Sequence, residues 1–389
     1  MTSNRPEAPL RKLMGPGPLD IHPRVYQALV SPVIGHLDPA YLKILDKIGD
    51  HLRTVFNTQN RVTNATPGTG TSGMEACVAN LMEPGDPVLV CVQGYFGDRI
   101  RQMAERQEAD VTVLESEWGM PTDPQRVEDA FKEQPFKVIA LVHAETSTGV
   151  LQPMDDIAKL AKANNAILLL DTVTSLGGIE MKVDEWGVDA AYSCSQKCIG
   201  APPGLAPVTF SNRAIEAAKN RQHPIRSWYL DITLLDKYWT DRMYHHTSSS
   251  TMNYALLEAL LLIEEEGLAN RHVRHIKNHQ ALVAGVEAMG LKMHVQPEYR
   301  LPTLNTIRIP EGVEDLKIRQ YLLKAFNLEI GGGLGALAGK VWRVGLMGYS
   351  SSAENVLFFL SAISRALDVE GYKTDLSSGL AAAMALLEA

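Results

Sequence analysis

Between residues 88 and 210 the chain repeats one phrase: an unbroken apolar run, a polar turn, then apolar residues at helical spacing. The runs are Val88–Val92, Val111–Leu114, Lys137–His143, Ile167–Asp171, Ala190–Ser193 and Val208–Phe210. Apolar runs without period-two alternation predict strands covered on both faces. Helix-like segments between them, such as Asp155–Ala163, predict a mostly parallel sheet with helices on both sides. Upstream, Leu42, Leu45, Ile48, Leu52 and Val55 recur at helical spacing and predict a helix over Pro39–Phe56. The first twenty residues are polar and proline-rich, end in Met14-Gly15-Pro16-Gly17-Pro18, and predict an extended arm. After about Glu266 the pattern changes. A long helical stretch leads to Gly290, and short strands (Thr303–Ile309, Leu328–Ile330, Val341–Leu346) then mix with helices (Val313–Phe326, Glu354–Leu367) and an Ala-rich Leu376–Glu388 segment. The reading is an α/β protein with an N-terminal arm (1–20), a large domain (21–266) and a smaller C-terminal α+β domain (267–389).

Composition narrows this picture. At 389 residues the chain exceeds the roughly 100–200 residues of a typical domain, and 45% hydrophobic content supports sizeable cores. A net charge of -8 without any Lys/Arg block gives no nucleic-acid face. No stretch approaches the roughly 20 apolar residues of a membrane helix. The four cysteines, Cys77, Cys91, Cys194 and Cys198, form no Cys-x-x-Cys pair; they predict packing residues in a reducing, cytoplasmic setting rather than a disulfide scaffold or a zinc site. The N-terminus carries no signal-peptide pattern, and Leu387-Glu388-Ala389 is no peroxisomal address.

The candidate chemistry lies at strand ends. Lys197 follows the Ala190–Ser193 run, and Asp171 ends Ile167–Asp171. In open parallel sheets ligands bind beyond the carboxyl ends of strands. A lysine amine to form a Schiff base and a carboxylate to keep a pyridinium protonated are what pyridoxal phosphate chemistry requires. Asp171 alone also fits a turn carboxylate. His143 ends its strand in the same way and is expected to feed the same site. Gly68-Thr69-Gly70-Thr71 opens a helix whose amides and dipole favour a phosphate, although such a turn is also a common structural device. Phe96 is suited to stacking on a planar ring, or to a core. Arg343, alone in an apolar strand, implies a carboxylate partner, either structural or on a substrate. The adjacent His245 and His246 lack an obvious third ligand, so no metal site is expected.

Together these segments resemble the class V aminotransferases of the fold-type I pyridoxal phosphate family, most closely the alanine–glyoxylate and serine–pyruvate group. The likeness covers nearly the whole chain. It rests on Gly15-Pro16-Gly17-Pro18, Glu145 to Pro153, Asp171 to Gly178, Ser195-Gln196-Lys197, Ala201-Pro202-Pro203-Gly204, Tyr244-His245-His246-Thr247, Gly332-Gly333-Leu334-Gly335 and Arg343-Val344-Gly345. It implies a seven-stranded, mostly parallel sheet, pyridoxal 5'-phosphate as cofactor, and a homodimer with shared active sites. Lys197 and Asp171 would be catalytic, with Val173 and Phe96 against the ring, Phe96 standing where relatives often carry tryptophan. Thr69, Gly70, Thr71 and Gln196 would hold the phosphate, joined by Tyr244 and Thr247 of the neighbouring subunit. Relatives often have Ser-Gly-His at positions 69–71. Thr146 would lie near the cofactor, and Gly17, His36 and Arg343 near the substrate.

The activity this implies moves an amino group from alanine or serine to glyoxylate or pyruvate. The alternative is the ureidoglycine–glyoxylate branch of purine breakdown, which shares the Met347-Gly348-Tyr349-Ser350 segment. That branch typically carries glutamine at the position of His36 and asparagine at that of Tyr244. A cysteine desulfurase on the same fold would need a reactive cysteine in the small domain, and residues 290–389 contain none.

Overall fold

A computed structural model describes residues 8–388, so part of the expected arm, residues 1–7, lies outside the described residues. The central layer is a seven-stranded sheet. In chain order its strands are β1 (Val62–Pro67), β2 (Pro87–Val92), β3 (Asp110–Glu115), β4 (Val138–Val142), β5 (Ile167–Asp171), β6 (Ala190–Tyr192) and β7 (Leu205–Phe210). Their spatial order is β1-β7-β6-β5-β4-β2-β3, and only β7 runs against its neighbours. Alternate residues feed two separate cores. Leu89, Ile139, Leu141, Leu168 and Leu170 face one side, and Val88, Val90, Val138, Ala140 and Leu169 the other. Burial on both faces is why these strands read as unbroken apolar runs.

Helices α1 (Pro39–Phe56), α2 (Gly70–Leu81), α3 (Tyr95–Arg106), α4 (Asp155–Ala163) and α5 (Ser250–Glu266) pack around this sheet. Local chemistry sets their ends. Asp38 caps α1 by accepting from the Ala40 amide, Pro39 starts the helix, and left-handed Asn57 closes it.

Beyond α6 (Leu268–Ala288) comes a four-stranded antiparallel sheet. Its strands are β8 (Lys292–Met293), β9 (Leu304–Arg308), β10 (Gly331–Gly332) and β11 (Val341–Gly345), in the order β8-β9-β11-β10. With the helices Ala353–Val369 and Leu376–Glu388 it encloses a core around Trp342, Phe359, Leu360 and Leu282. The arm is bound to this part of the chain: Lys12–Leu13 pairs in parallel with Leu328–Glu329, and Met14 is fully buried. Among the described residues no helix is long and apolar enough to cross a membrane.

Candidate active site

The carboxyl ends of β5 and β6 meet at the centre of the sheet, and a cavity of about 250 Å³ opens above them. Lys197, on the turn between β6 and β7, projects into it. Its Nζ lies 3.0 Å from the hydroxyls of both Thr146 and Thr174. Burial pushes its ammonium below the ordinary value, offset in part by Cys194, Asp171 and Cys198. An amine shielded in this way holds less of its charge and is a better nucleophile.

Asp171, at the tip of β5, is buried in the same wall. Its Oδ1 accepts from the Val173 amide at 2.8 Å and its Oδ2 from the Tyr192 hydroxyl at 2.7 Å. Burial raises its pKa to about 6, against the pull of these two donors and of Lys197. The Tyr192 contact follows from register, because Asp171 and Tyr192 are partners in the parallel β5–β6 pair.

On the opposite side, Thr69, Gly70 and Thr71 present the first turn of α2 to the cavity. Thr69 is the N-cap but makes no side-chain capping bond, so the helix-start amides lack that internal acceptor. Phe96, Val173 and Gln196 also line the cavity. Gln196 Oε1 is buried without a partner, and its amide can offer either end to a ligand.

Gly17 closes the cavity from the arm. Its φ of +104° favours glycine, and a Cβ there would stand 3.1 Å from Lys197 Cγ. Arg343, on β11, reaches in from the second sheet. Its Nε donates to the Gly332 carbonyl at 2.7 Å and its Nη1 to the Thr146 carbonyl at 3.3 Å. Among the described residues its hydrogen bonds reach no carboxylate. Burial lowers its pKa to about 10, so it stays a cation at neutral pH.

Glu145 organises the cavity from beneath. It is fully buried, accepts from the amides of Phe96 and Gly97 at 3.2 Å each, and from the amide and hydroxyl of Ser147 at 3.0 and 2.6 Å. A carboxylate at the N-terminus of α3 satisfies the free amides there and fixes where Phe96 stands.

Four expected side chains do not line their own chain's cavity. Tyr244 is 62% exposed, Thr247 is exposed and His36 is partly so. His36 and Tyr244 pack on each other, ring centroids 5.2 Å apart. His143, expected to feed the site, instead stacks edge-on against Trp186 at 5.3 Å. Burial lowers its pKa to about 4. The chain turns after β4, so Thr146 rather than His143 arrives at the cavity. Thr174, Tyr192 and Glu145 carried no assigned role in the sequence reading, although Thr174 and Glu145 sit inside quoted motifs.

A larger hollow of about 460 Å³ lies against His22, Glu265, Glu266, Arg271 and Tyr349. Its charges are already matched: Glu266 with Arg271 and Arg274, Glu265 with Arg24.

Comparison with known proteins bears directly on this arrangement. The family model described as aminotransferase class-V matches residues 24–356. An alanine–glyoxylate aminotransferase of Drosophila melanogaster is 40% identical, over 95% of this chain and 96% of that protein. The crystal structure of an alanine–glyoxylate aminotransferase from Nostoc sp. superposes with a TM-score of 0.93 at 49% identity, covering 94% of this chain and 98% of that one. A ureidoglycine–glyoxylate aminotransferase from Bacillus subtilis superposes with a TM-score of 0.97 at 39% identity, covering 99% and 100%.

Proposed function

Starting from a chain that belongs to the class-V aminotransferases, we propose that its cavity binds pyridoxal 5'-phosphate and transfers an amino group from alanine or serine to glyoxylate or pyruvate. The observation that carries the reading is the juxtaposition of a charge-suppressed Lys197 with a buried Asp171 in one cavity. The residues fit the cofactor. Gln196 offers a buried, unpartnered amide atom, the start of α2 offers amides without a capping side chain, and Gly17 leaves room beside the lysine stem. When bound, the cofactor supplies an electron sink that makes the substrate's Cα–H acidic and carries the amino group between two substrates.

The chain's own residues supply the rest. Lys197 would hold the cofactor through its amine, and the same amine, when free, would take a proton from the substrate Cα and return it. Thr146 and Thr174 orient Nζ. Asp171 would keep a proton on the pyridine nitrogen, and Phe96 and Val173 would pack against the ring. Arg343 grips the carboxylate common to amino and keto substrates, because a guanidinium fork matches it bidentately. Gly17 bounds the space for a small side chain, and His36, packed on Tyr244 outside its own chain's cavity, would reach the neighbour's site together with it.

Tyr244 and Thr247 are absent from their own chain's cavity and exposed, as are Trp228 (70%) and Met243 (56%). This supports a homodimer in which they reach the neighbour's phosphate. The arm (1–20), a cofactor-binding domain (21–266) and a small domain (267–389) remain our division, supported by the change from the seven- to the four-stranded sheet. Four buried cysteines, all free, support a reducing, cytoplasmic setting.

The second reading, ureidoglycine as donor, draws on the end-to-end superposition with the Bacillus subtilis enzyme. Against it stand His36 and Tyr244, which supply less amide-like hydrogen bonding than a urea group needs once buried. Three experiments test these proposals. Borohydride reduction and peptide mapping should place the phosphopyridoxyl group on Lys197, and Lys197→Ala should lose turnover; a label elsewhere removes the assignment. A panel of amino donors against glyoxylate should then give a higher kcat/KM for alanine or serine than for ureidoglycine, and the reverse order promotes the second reading. For the dimer, mixing Lys197→Ala subunits with Tyr244→Phe/Thr247→Ala subunits should restore one intact site per heterodimer. Verified heterodimers without recovered activity would show that each site is built from one chain.

A further inference from the structure

Arg99 lines the cavity, yet the reading above leaves it without a task. It stands on the first turns of α3, and its Nη1 donates to Thr71 Oγ1 at 3.2 Å. Its guanidinium lies 4.9 Å from the Phe96 ring centre and 5.2 Å from that of Tyr95. On the same helix Arg101 is paired with Asp98 and Glu105, and Glu145 has its oxygens engaged by backbone amides and Ser147. Among the described residues Arg99 forms no ion pair.

The second cation of the cavity, Arg343, enters from the other sheet, beside Thr146 and Gly332. The two are therefore held by different elements, and their targets differ. Around Arg99 the available groups are donors: the start of α2, the hydroxyls of Thr69 and Thr71, and the guanidinium itself. Such a set fits a tetrahedral dianion.

We infer that Arg99 supplies the cationic contact to the cofactor's phosphate, oriented by Thr71 and by the faces of Phe96 and Tyr95. This rests on the pyridoxal phosphate reading. It gives Thr71 a definite role, as the hydroxyl that aims the guanidinium at the phosphate. It also links the phosphate to the stacking wall, because Arg99 and Phe96 share one helix turn anchored on Glu145.

The test compares two ligands that differ only in the phosphate. Cofactor-free protein is titrated with pyridoxal 5'-phosphate and with pyridoxal, and binding is followed by the visible absorbance of the lysine-bound form. Arg99→Gln should raise Kd for pyridoxal phosphate about 10- to 100-fold, the scale of one or two charge-assisted hydrogen bonds. Kd for pyridoxal should stay within about twofold. Inorganic phosphate should compete with pyridoxal phosphate in the parent protein and about tenfold less well in the variant. Arg99→Lys keeps the charge without the fork and should weaken only pyridoxal phosphate, by a few-fold; it carries the test where Arg99→Gln does not fold. Equal weakening of both ligands overturns the inference and assigns Arg99 to the support of Phe96. Unchanged binding of pyridoxal phosphate overturns it as well. If neither ligand attaches to Lys197 in the parent protein, the inference falls together with the cofactor reading.

Discussion

Asp171 shows how a single residue's chemistry is set by its neighbours. Its pKa of about 6 reflects burial first, opposed by the Val173 amide and the Tyr192 hydroxyl. A hydrogen bond to a charged group contributes about 1.5–3 kcal/mol, so without Tyr192 the carboxylate loses a large part of what keeps it ionised. Tyr192 would act as a positioning residue, through its hydroxyl on Asp171. In Tyr192→Phe the acid limb of the kcat profile should move up by about one pH unit, since one unit corresponds to about 1.4 kcal/mol. KM for the amino donor should change less than kcat. A profile that superposes on the parent's, with only overall stability altered, would make Tyr192 a packing residue. No rule of sequence spacing shows this contact. Asp171 and Tyr192 are 21 positions apart, and only the register of β5 against β6 brings them together.

At the scale of elements, most of the framework was legible. The helices at Pro39–Phe56, Asp155–Ala163 and Leu376–Glu388 stand where the pattern places them, because apolar spacing marks them and, at the first, the Asp38 cap agrees. Six of the seven strands announced themselves as apolar runs. The seventh, β1, did not, since Thr63, Asn64 and Thr66 interrupt it. These polar residues are buried all the same, and satisfied: Thr63 and Thr209 share a hydroxyl contact at 2.7 Å, and Thr66 donates to the Ala206 carbonyl at 3.2 Å. Lys197, Asp171 and the Gly68-to-Thr71 turn were legible from strand ends and glycines. Glu145 was not, because a buried carboxylate is recognisable only from the helix start it caps. That contact depends on close approach: a Cβ on Gly94 would stand 2.5 Å from Glu145 Cγ and still nearer to Ser147 Oγ. Gly94→Ala should therefore push Glu145 off the amides of Phe96 and Gly97. A stability loss of about 1–3 kcal/mol is expected by denaturant titration, with weaker binding of both pyridoxal and pyridoxal phosphate as Phe96 shifts. Parent-like binding of both would show that α3 keeps its place without Glu145.

The whole molecule carries a further consequence of burial, at sites remote from the reaction. His143, His275 and His279 are all buried, and burial lowers their pKa values to about 4, 3 and 4. Geometry fixes His275 as neutral. Its Nδ1 faces the Arg271 carbonyl at 2.8 Å and must donate, while its Nε2 accepts from the Gly348 amide at 3.0 Å. A proton on Nε2 would break that second bond, beside Arg271 and Arg274. His279 donates through Nδ1 to Asn305 at 2.6 Å, and His143 Nδ1 has no partner. For depressed bases the stability is present above the ordinary value of 6.5 and is lost as pH falls toward the folded values, because the unfolded chain takes up protons that the fold refuses. At pH 5 each histidine then costs about 2 kcal/mol relative to pH 7. Asp171 acts in the opposite sense. Its raised pKa favours the folded state below about 4, and that contribution disappears as pH rises through about 6, returning about 1 kcal/mol on acidification to pH 5. Three histidines outweigh one aspartate, so unfolding free energy measured with urea should fall by about 4–5 kcal/mol between pH 7 and pH 5. His143→Gln removes one titrating group from a site where Nδ1 bonds to nothing, and should shrink that acid loss by about 2 kcal/mol, nearly half, whatever it does to stability at pH 7. An unchanged pH dependence in this variant, or a parent protein that gains stability on acidification, would show that these imidazoles accept protons inside the fold.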